Sequence, residues 1–532
     1  MATTLLSLFL LLAAVSSSAA ADSSLLPVIL NACKASRFPD SCADRLCNST
    51  PPIPPNASAS YIILTIFNTS LSDLFTASST VQSILDSSAS NLNRTNAARI
   101  CLEVLSYSTH RLSAAASSDL LSPDSRTWAG ASLLYQYDCW SALKYVNGTS
   151  QVAAAMTFLT DLSNRTSDGL SMLAALHRYG ANTSLWGPPQ TERDGYWDSP
   201  SEIPAIDGYR GVPVDLPANF TVCKDEGCDY KTVQAAVDAA PAYVSGGRFV
   251  IWIKAGVYDE IVRVPIEKTN LVFVGDGMSK TVITGDLNAD QVGVTTYSTA
   301  TVAVAGDGFM ARDLTFQNTA GPDAHQAVAF RADGDFTVLD TVELSGHQDT
   351  LYAHSLRQYY KSCIISGTVD FIFGNSAAVF DDCLIIIVTR QFSPTKGESD
   401  TVTAHGRTDP AQPTGFVFHN CQLNASEEYW SLYKKNPSLH RVYLGRPWKE
   451  YSRTVFISCY LEEFLKPEGW LPWSGDFALE TLYYGEFESR GPGANAAARV
   501  PWSSQIPAEH VGVYSVENFI QGDQWIPTAS SR

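Results

Sequence analysis

Four polar residues recur at a nearly constant spacing in the second half of the chain. Gln326 and Gln348 are 22 positions apart, and Asp349 and Asp370 are 21 positions apart. If the chain coils with this period, two carboxamides lie beside two carboxylates on one face. Such a group suits acyl transfer: one carboxylate attacks a carbonyl carbon, amide N–H groups stabilise the oxyanion, and the other carboxyl protonates the leaving alcohol.

Charged and aromatic residues around this group support a functional interpretation. Two adjacent carboxylates cannot both ionise easily, so we expect one to stay an anion while the other carries a proton. Arg446 is the candidate cation that decides between them, and Trp448 offers a face on which a sugar ring can stack. A single aspartate in a turn usually caps backbone amides, and stacked amides often form structural ladders. The whole set at one spacing favours function, and it is flanked by three aromatic residues, Tyr352, Phe371 and Phe373.

A longer repeat runs through the same half of the chain. Similar segments begin at Asp340, Lys361 and Asp381, at spacings of 21 and 20 residues, with weaker copies at His419 and Ser458. A period near 20 without helix-length segments predicts a right-handed parallel β-helix, in which equivalent residues stack about 4.8 Å apart. An ordinary β-sandwich with accidental spacing is the less favoured alternative.

The chain divides into two halves. Residues 22–185 are rich in Ala, Ser and Leu with apolar residues at helical spacing, which predicts an all-α four-helix bundle. Residues 186–222 contain many Pro, Gly and Asp residues and are predicted to be a linker. The β-helix is expected over residues 223–532. At 532 residues and 45% hydrophobic composition, the chain is long enough for two cores.

The N-terminus predicts secretion. Residues 5–15 are an unbroken apolar run followed by small residues, so residues 1–21 resemble a cleaved signal peptide. The run is shorter than the roughly 20 residues of a membrane span. We therefore expect a secreted, extracellular protein without a membrane span. Nine Asn-X-Ser/Thr sequons agree with this route, at Asn48, Asn56, Asn68, Asn93, Asn147, Asn164, Asn182, Asn219 and Asn424.

The net charge narrows the choice of partners. With 36 basic and 54 acidic residues, the chain carries a formal charge of −18. Binding to nucleic acid is therefore not expected. An acidic polymer would have to be held by local contacts or bound in a neutralised form.

The cysteines are predicted to be structural. Eleven cysteines leave at least one unpaired. Cys363 and Cys383 occupy equivalent points of consecutive repeats, so coil stacking predicts a disulfide between them. No Cys-X-X-Cys or His-Glu-X-X-His spacing is present, so neither a metal site nor a cofactor is expected. The other candidate pairs are Cys33 with Cys42, Cys101 with Cys139, Cys223 with Cys228 and Cys421 with Cys459, which leaves Cys47 as the odd cysteine.

Several motifs resemble the signature blocks of pectin methylesterases. They are Gln326-Ala-Val-Ala, Gln348-Asp-Thr-Leu-Tyr, Asp370-Phe-Ile-Phe-Gly and Leu444-Gly-Arg-Pro-Trp. The match extends from about Tyr230 to the C-terminus, and the helical half is similar to the inhibitor-like pro-region of the plant enzymes. The resemblance implies a plant cell-wall enzyme that hydrolyses the methyl ester of galacturonate in pectin and releases methanol. Methylated pectin is the neutralised form of an acidic polymer, which fits the acidic chain.

The same resemblance implies a role for each site residue. Asp370 is the nucleophile, and Asp349 acts first as the acid and then as the base that activates water. Gln348 and Gln326 stabilise the oxyanion, and Arg446 orients Asp370 and contacts the substrate. The substrate cleft is lined by Thr296, Trp448, Tyr352 and Phe373.

Three features depart from the family pattern. His347 stands where an aromatic residue is frequent, and His405 replaces a frequent glutamine. The linker lacks a dibasic cleavage motif and shows only the isolated Arg193 and Arg210. We therefore expect that the pro-region can stay attached to the enzyme.

Two other classes of function remain as alternatives. One is a glycosidase or lyase on the same fold, but the polygalacturonase blocks Asn-Thr-Asp and Gly-His-Gly and an Asp-rich calcium loop are absent. The other is a non-catalytic wall protein that binds pectin while its helical half inhibits other enzymes. A serine hydrolase is disfavoured because no Gly-X-Ser-X-Gly motif occurs. Proteinaceous pectin methylesterase inhibitors are possible partners.

Overall fold

The computed structural model describes residues 25–198, 211–395 and 397–528. The predicted signal peptide and part of the predicted linker, including Arg210, lie outside the described residues. In the described ranges the first half of the chain is helical, and most of the remainder is β-structure. No helix in these ranges is long and apolar enough to cross a membrane.

The N-terminal half is a helical hairpin followed by a four-helix bundle, as predicted. The bundle helix α3 packs against α4 and α6, and α5 packs against the same two helices. Each bundle helix begins at a Ser, Asn or Thr whose side chain accepts a hydrogen bond from a backbone N–H of the first turn. The six helices are α1 (Leu25–Cys33), α2 (Pro39–Cys47), α3 (Ala59–Asp86), α4 (Leu92–Ser117), α5 (Pro123–Lys144) and α6 (Ser150–Tyr179).

The C-terminal half consists of short strands with three further helices. The helices are α7 (Val233–Ala239), α8 (Glu427–Lys435) and α9 (Val516–Ile520). The strands are β1 (Phe220–Val222), β2 (Phe249–Ile253), β3 (Gly256–Asp259), β4 (Val262–Val264), β5 (Leu271–Gly275), β6 (Thr281–Gly285), β7 (Val302–Val304), β8 (Met310–Asn318), β9 (Phe330–Ala332), β10 (Thr337–Ser345), β11 (Leu351–Ala353), β12 (Arg357–Lys361), β13 (Ile364–Gly367), β14 (Val369–Gly374), β15 (Ala377–Asp381), β16 (Leu384–Ile387), β17 (Glu398–His405), β18 (Gly415–His419), β19 (Gln422–Ala425), β20 (His440–Gly445), β21 (Arg453–Ile457), β22 (Tyr460–Leu461), β23 (Tyr483–Phe487) and β24 (Ser504–Gln505).

These strands form a parallel β-helix, as the repeat predicts. Strands of successive coils pair in parallel, and one seven-stranded sheet has the order β20-β17-β14-β11-β9-β7-β4. The interior is filled by side chains that stack coil on coil. Phe380 stacks on Tyr360 with ring centroids 4.7 Å apart, and Phe418 continues the column at 4.5 Å. Each coil alone would expose its apolar side chains, so stacking is what buries the core.

The cysteine prediction for the β-helix is wrong. Cys363 and Cys383 are buried free thiols, and so are Cys421 and Cys459. Pairing of Ile364 with Leu384 places the first two cysteines directly above one another with parallel Cα–Cβ bonds. A disulfide needs Cβ atoms about 3.8 Å apart, whereas stacked coils hold them about 4.8 Å apart.

Each of these thiols instead donates a hydrogen bond to a backbone carbonyl of the preceding coil. The Sγ of Cys383, for example, lies 3.4 Å from the carbonyl oxygen of Tyr360. Elsewhere the structure contains the disulfides Cys33–Cys42, Cys101–Cys139 and Cys223–Cys228, and Cys47 is free and exposed.

The helical bundle lies against the seven-stranded sheet. The guanidinium of Arg111 in α4 pairs with Asp307 at 2.7 Å, and the indole N–H of Trp128 in α5 donates to Asp335 at 3.0 Å. The hydroxyl of Tyr135, also in α5, donates to the backbone carbonyl of the turn that follows β9 at 2.8 Å. The apolar interior of the bundle is continuous with aromatic side chains of this sheet.

Described parts of the predicted linker also contact the β-helix. Glu192 pairs with Arg453 at 2.7 Å, and the ring of Trp197 stacks on His510 with centroids 4.5 Å apart. After the undescribed stretch, the backbone N–H of Val212 donates to Asp340. The β-helix itself begins with β1, slightly before the predicted boundary at residue 223.

A buried carboxyl group in β17 makes the stability of the β-helix depend on pH. Asp400 is fully buried, and its carboxyl oxygens have no hydrogen-bond partner among the described residues. Burial raises the pKa of Asp400 well above its usual value, and the neighbouring Glu398 raises it further. The folded state therefore keeps a proton that the unfolded chain releases above about pH 4, so stability falls as pH rises from there toward the folded-state pKa.

We expect Asp400→Asn to remove this pH dependence. Relative to the unchanged protein, the variant should gain up to about 1.4 kcal/mol of unfolding free energy per pH unit above pH 4. Urea unfolding at a series of pH values from 4 to 8 measures the difference. The exposed Asp259→Asn is the matched control, and parallel curves for both variants would contradict the assignment.

Candidate active site

A β-bulge turns Asp370 toward the outside of the sheet. The register between β14 and β17 shifts between Val369 and Ile372, so that Phe371 and Ile372 both point into the core. Asp370 adopts a left-handed backbone conformation at φ 51°. Bulges of this kind redirect a side chain, and non-glycine residues with positive φ are often found at functional sites.

Arg446 holds the carboxylate of Asp370 in a two-point ion pair. Its Nε lies 2.8 Å from one carboxylate oxygen, and its Nη2 lies 2.6 Å from the other. The backbone N–H of Arg446 donates to the carbonyl of Thr403, which fixes the start of the side chain just after β20. Because paired guanidinium compensates the charge, Asp370 is the member of the carboxylate pair suited to remain an anion.

Asp349 lies on the preceding coil and has the opposite character. Its backbone N–H donates to the carbonyl of Val369, next to Asp370. Burial raises the pKa of Asp349 well above its usual value, the negative charge of Asp370 raises it further, and Arg446 opposes both effects. Asp349 is therefore suited to carry a proton at neutral pH. The structure brings together the two carboxyl groups and the arginine that the spacing predicted.

The two glutamines sit on successive coils beside the carboxyl groups. The backbone N–H of Ala327 donates to the carbonyl of Gln348, which aligns the Gln326 coil with the Gln348 coil. Both glutamines are half-buried, and neither carboxamide hydrogen-bonds within the part of the chain that the structure describes. Their N–H groups are thus available to an oxyanion. Thr296 is half-buried in a short 3-10 helix one coil earlier.

Aromatic side chains continue the site along the sheet. Tyr352 stacks on Phe373 with centroids 4.1 Å apart, and the ring of Trp448 meets Phe373 edge-on at 5.9 Å. Trp448 lies against Gly406, where an added Cβ would approach the ring to 2.8 Å. Only glycine leaves room for the indole there. The three rings are suited to stack against sugar rings.

The two histidines singled out by the sequence occupy different environments. His347 is half-buried beside Gln348, and burial lowers its pKa. His405 is fully buried, accepts a hydrogen bond from the backbone N–H of Arg453 and has a pKa well below the usual value because of burial. His405 is thus a neutral, structural residue.

The structure adds two residues that the spacing did not reveal. The hydroxyl of Thr401 donates to Asp370 at 2.6 Å and also accepts the backbone N–H of Asp370 at 3.0 Å. The guanidinium of Arg446 lies 4.4 Å from the ring centroid of Trp473. The cluster of tryptophans around residue 470 was the available signal for this stacking contact. Within the described ranges, no group of His, Cys, Asp and Glu residues could hold a metal ion.

Fold and site together define a parallel β-helix hydrolase with a paired-carboxylate centre. Residues 219–523 match the family model described as pectinesterase, and residues 27–172 match plant invertase/pectin methylesterase inhibitor. The chain belongs to the pectinesterase family and carries an N-terminal domain of the inhibitor type.

Individual relatives agree with this assignment. The chain is 54% identical to a probable pectinesterase/pectinesterase inhibitor 64 of Arabidopsis thaliana, over 94% of this chain and 84% of that protein. It is 41% identical to pectinesterase 2 of Citrus sinensis, over 76% of this chain and 75% of that protein. The solved pectin methylesterase from carrot is 46% identical, with a TM-score of 0.55, and the match covers 59% of this chain and 97% of that chain.

Proposed function

We propose that this pectin methylesterase hydrolyses methyl-esterified galacturonate units of homogalacturonan through a covalent intermediate on Asp370. The observation that carries the proposal is the unequal carboxyl pair: Asp370 is held as an anion by Arg446, and Asp349 is buried and retains a proton. An ester hydrolysis through two steps needs one nucleophile and one proton carrier, and the pair supplies both.

In the first step, a carboxylate oxygen of Asp370 attacks the ester carbonyl carbon. The carbonyl electrons move to the oxygen, and the free N–H groups of Gln348 and Gln326 stabilise the oxyanion. The intermediate collapses when the C–O bond to the methoxy group breaks, and Asp349 donates its proton so that methanol leaves. An acyl anhydride then joins the substrate to Asp370.

In the second step, Asp349 acts as a base. Its carboxylate takes a proton from water, and the resulting hydroxide attacks the acyl carbon of the anhydride. The bond to Asp370 breaks, a free galacturonate carboxylate leaves, and Asp349 is protonated again. Arg446 keeps Asp370 in position through both steps, and its stacking on Trp473 limits the motion of the guanidinium.

Product analysis tests the reaction class. Incubation with highly methylated pectin should release methanol without new reducing ends or unsaturated ends. Cleavage of the polymer would contradict the proposal and favour a glycosidase or a lyase. We further propose that the protein acts outside the cell on wall pectin, because its family relatives are plant pectinesterases and its sequence starts with a signal-like segment.

We expect Thr401 to position the nucleophile. Thr401→Val removes the hydroxyl that contacts Asp370 twice, so kcat should fall roughly 10- to 100-fold with little change in KM. Thr401→Ser keeps the hydroxyl and should recover most of the rate. Equal loss in both variants would show that packing of the methyl group, and not the hydrogen bonds, matters at this position.

The helical half is proposed to block the active site of its own chain. Tyr297, Tyr352 and Phe373 belong to the same apolar cluster as the bundle interior, and Trp448 packs against that cluster. A sugar ring cannot stack on these side chains while the bundle covers them. The inhibitor-type domain thus occupies the cleft of the attached enzyme.

A further inference from the structure

A carboxylate from the helical bundle enters the aromatic end of the cleft. Asp138 in α5 places its Oδ2 atom 3.1 Å from the Nε2 atom of His354. The His354 side chain is fully buried in this arrangement, and the Asp138 side chain is 13% exposed. Both residues lie between the bundle and the seven-stranded sheet. The contact pairs a carboxylate of one domain with an imidazole of the other.

The β-helix holds His354 in the orientation that this contact requires. The Nδ1 atom of His354 lies 3.0 Å from Asp333, and Asp333 also pairs with Arg331 at 2.8 Å. The rings of Tyr297 and Tyr352 meet the imidazole edge-on. Because these partners all belong to the β-helix, the Nε2 atom faces outward whether or not the bundle is present.

A lysine of the β-helix also acts on the same carboxylate. Lys449 lies 2.5 Å from the hydroxyl of Tyr137, the residue before Asp138, and its ammonium group is 4.9 Å from the ring centroid of Trp448. Burial lowers the pKa of Lys449 to about 8, and the negative charge of Asp138 opposes that shift. A histidine and a lysine therefore converge on one carboxylate beside the sugar-stacking rings.

These two groups border the part of the cleft that the substrate must use. Tyr352 contacts His354 on one side, with centroids 4.8 Å apart, and Phe373 on the other. Trp448 immediately precedes Lys449. A polymer that stacks on these rings carries one carboxyl group per sugar, either esterified or free. A free carboxylate would meet the same two partners as Asp138 does.

We propose that His354 and Lys449 form a subsite for the free carboxylate of a galacturonate unit, and that Asp138 fills this subsite in the intact chain. The proposal rests on the proposed function for the identity of the polymer. A methyl ester has no charge to pair with the two cations, so the subsite distinguishes a hydrolysed unit from an esterified one. The bundle thus uses a carboxylate of its own in place of a carboxylate of the substrate.

The test uses the β-helix fragment from residue 211 onward, with Asp370→Asn to prevent turnover. The carrot enzyme, of which 97% is matched by 59% of this chain, shows that such a domain folds alone. Titration calorimetry with non-esterified and fully methyl-esterified galacturonate hexamers gives the two dissociation constants. We expect the fragment to prefer the non-esterified hexamer, and Lys449→Met to reduce that preference about tenfold by weakening only the binding of the free acid.

Lys434→Met is the matched control, because Lys434 also lies over a tryptophan ring but belongs to α8 outside the cleft. An unchanged preference in Lys449→Met, or an equal change in Lys434→Met, would overturn the subsite. Binding is measured without turnover, so the result is independent of the reaction. Failure of the fragment without Asp370→Asn to release methanol would count against the proposed function alone.

Discussion

Replacement of Asp370 by asparagine should abolish methanol release from methylated pectin. An amide oxygen is a far weaker nucleophile than a carboxylate, and the covalent route has no substitute for it in this site. The expected loss in kcat is on the order of 10⁴- to 10⁶-fold, in the range found when a catalytic nucleophile is removed from a hydrolase. Initial rates of methanol formation by the isolated β-helix measure the effect.

The fold should survive this change. Asparagine has nearly the same shape, tolerates the left-handed backbone of this position and can still accept the hydrogen bond from Thr401. Asp382→Asn is the matched control, because Asp382 also has a positive φ, at 54°, but lies at a coil corner outside the cleft. Thermal unfolding should be similar for both variants. Methanol release near the original rate from the Asp370 variant would refute the assignment of the nucleophile.

The period of the sequence predicted the catalytic centre because no insertion separates the coils involved. Asp349 and Asp370 are 21 residues apart, so they fall on consecutive coils at equivalent positions. Thr401 follows Asp370 by 31 residues, because the connection between β16 and β17 is longer than the others. A search at constant spacing therefore missed the residue that contacts Asp370 most closely from the next coil. Trp473 was missed for a related reason, since it lies outside the named strands.

Spacing also predicts which residues are neighbours without predicting how their side chains point. Cys363 and Cys383 are stacked neighbours as expected, yet both side chains project in parallel into the core and form no bridge. The same limit applies to Asp370, whose outward direction depends on a bulge between β14 and β17. Alternation alone would not place Asp370 outside and both following residues inside.

The contact between the two halves could not be read from the sequence. Helical periodicity identifies the inward face of each bundle helix, but it does not identify the partner of the outer face. Arg111 and Asp307 are 196 positions apart, and nothing in the local sequence of either residue predicts their pairing. Only the folded arrangement shows that α4 and α5 cover the sheet that carries the active site.

Removal of the helical bundle should therefore release a large activity. We expect the fragment from residue 211 to hydrolyse methylated pectin at least about tenfold faster than the chain that begins at residue 22. The fragment should start at this residue because Val212 packs against Asp340 of the β-helix. The physical reason is exclusion: the bundle fills the space over Tyr352, Phe373 and Trp448, where a sugar must stack. Equal rates for the two proteins would contradict cis inhibition.

A substitution in the intact chain separates release of the bundle from loss of a domain. Arg111→Met leaves the carboxylate of Asp307 without its buried partner, and breaking such a pair typically costs about 3 to 5 kcal/mol. The docked state is weakened by this cost, so the variant should show activity between those of the intact chain and the fragment. Arg99→Met, on an exposed part of the same helix, should leave the rate unchanged. If both arginine variants stay as slow as the intact chain while the fragment is fast, the bundle is held in place by the apolar contacts alone.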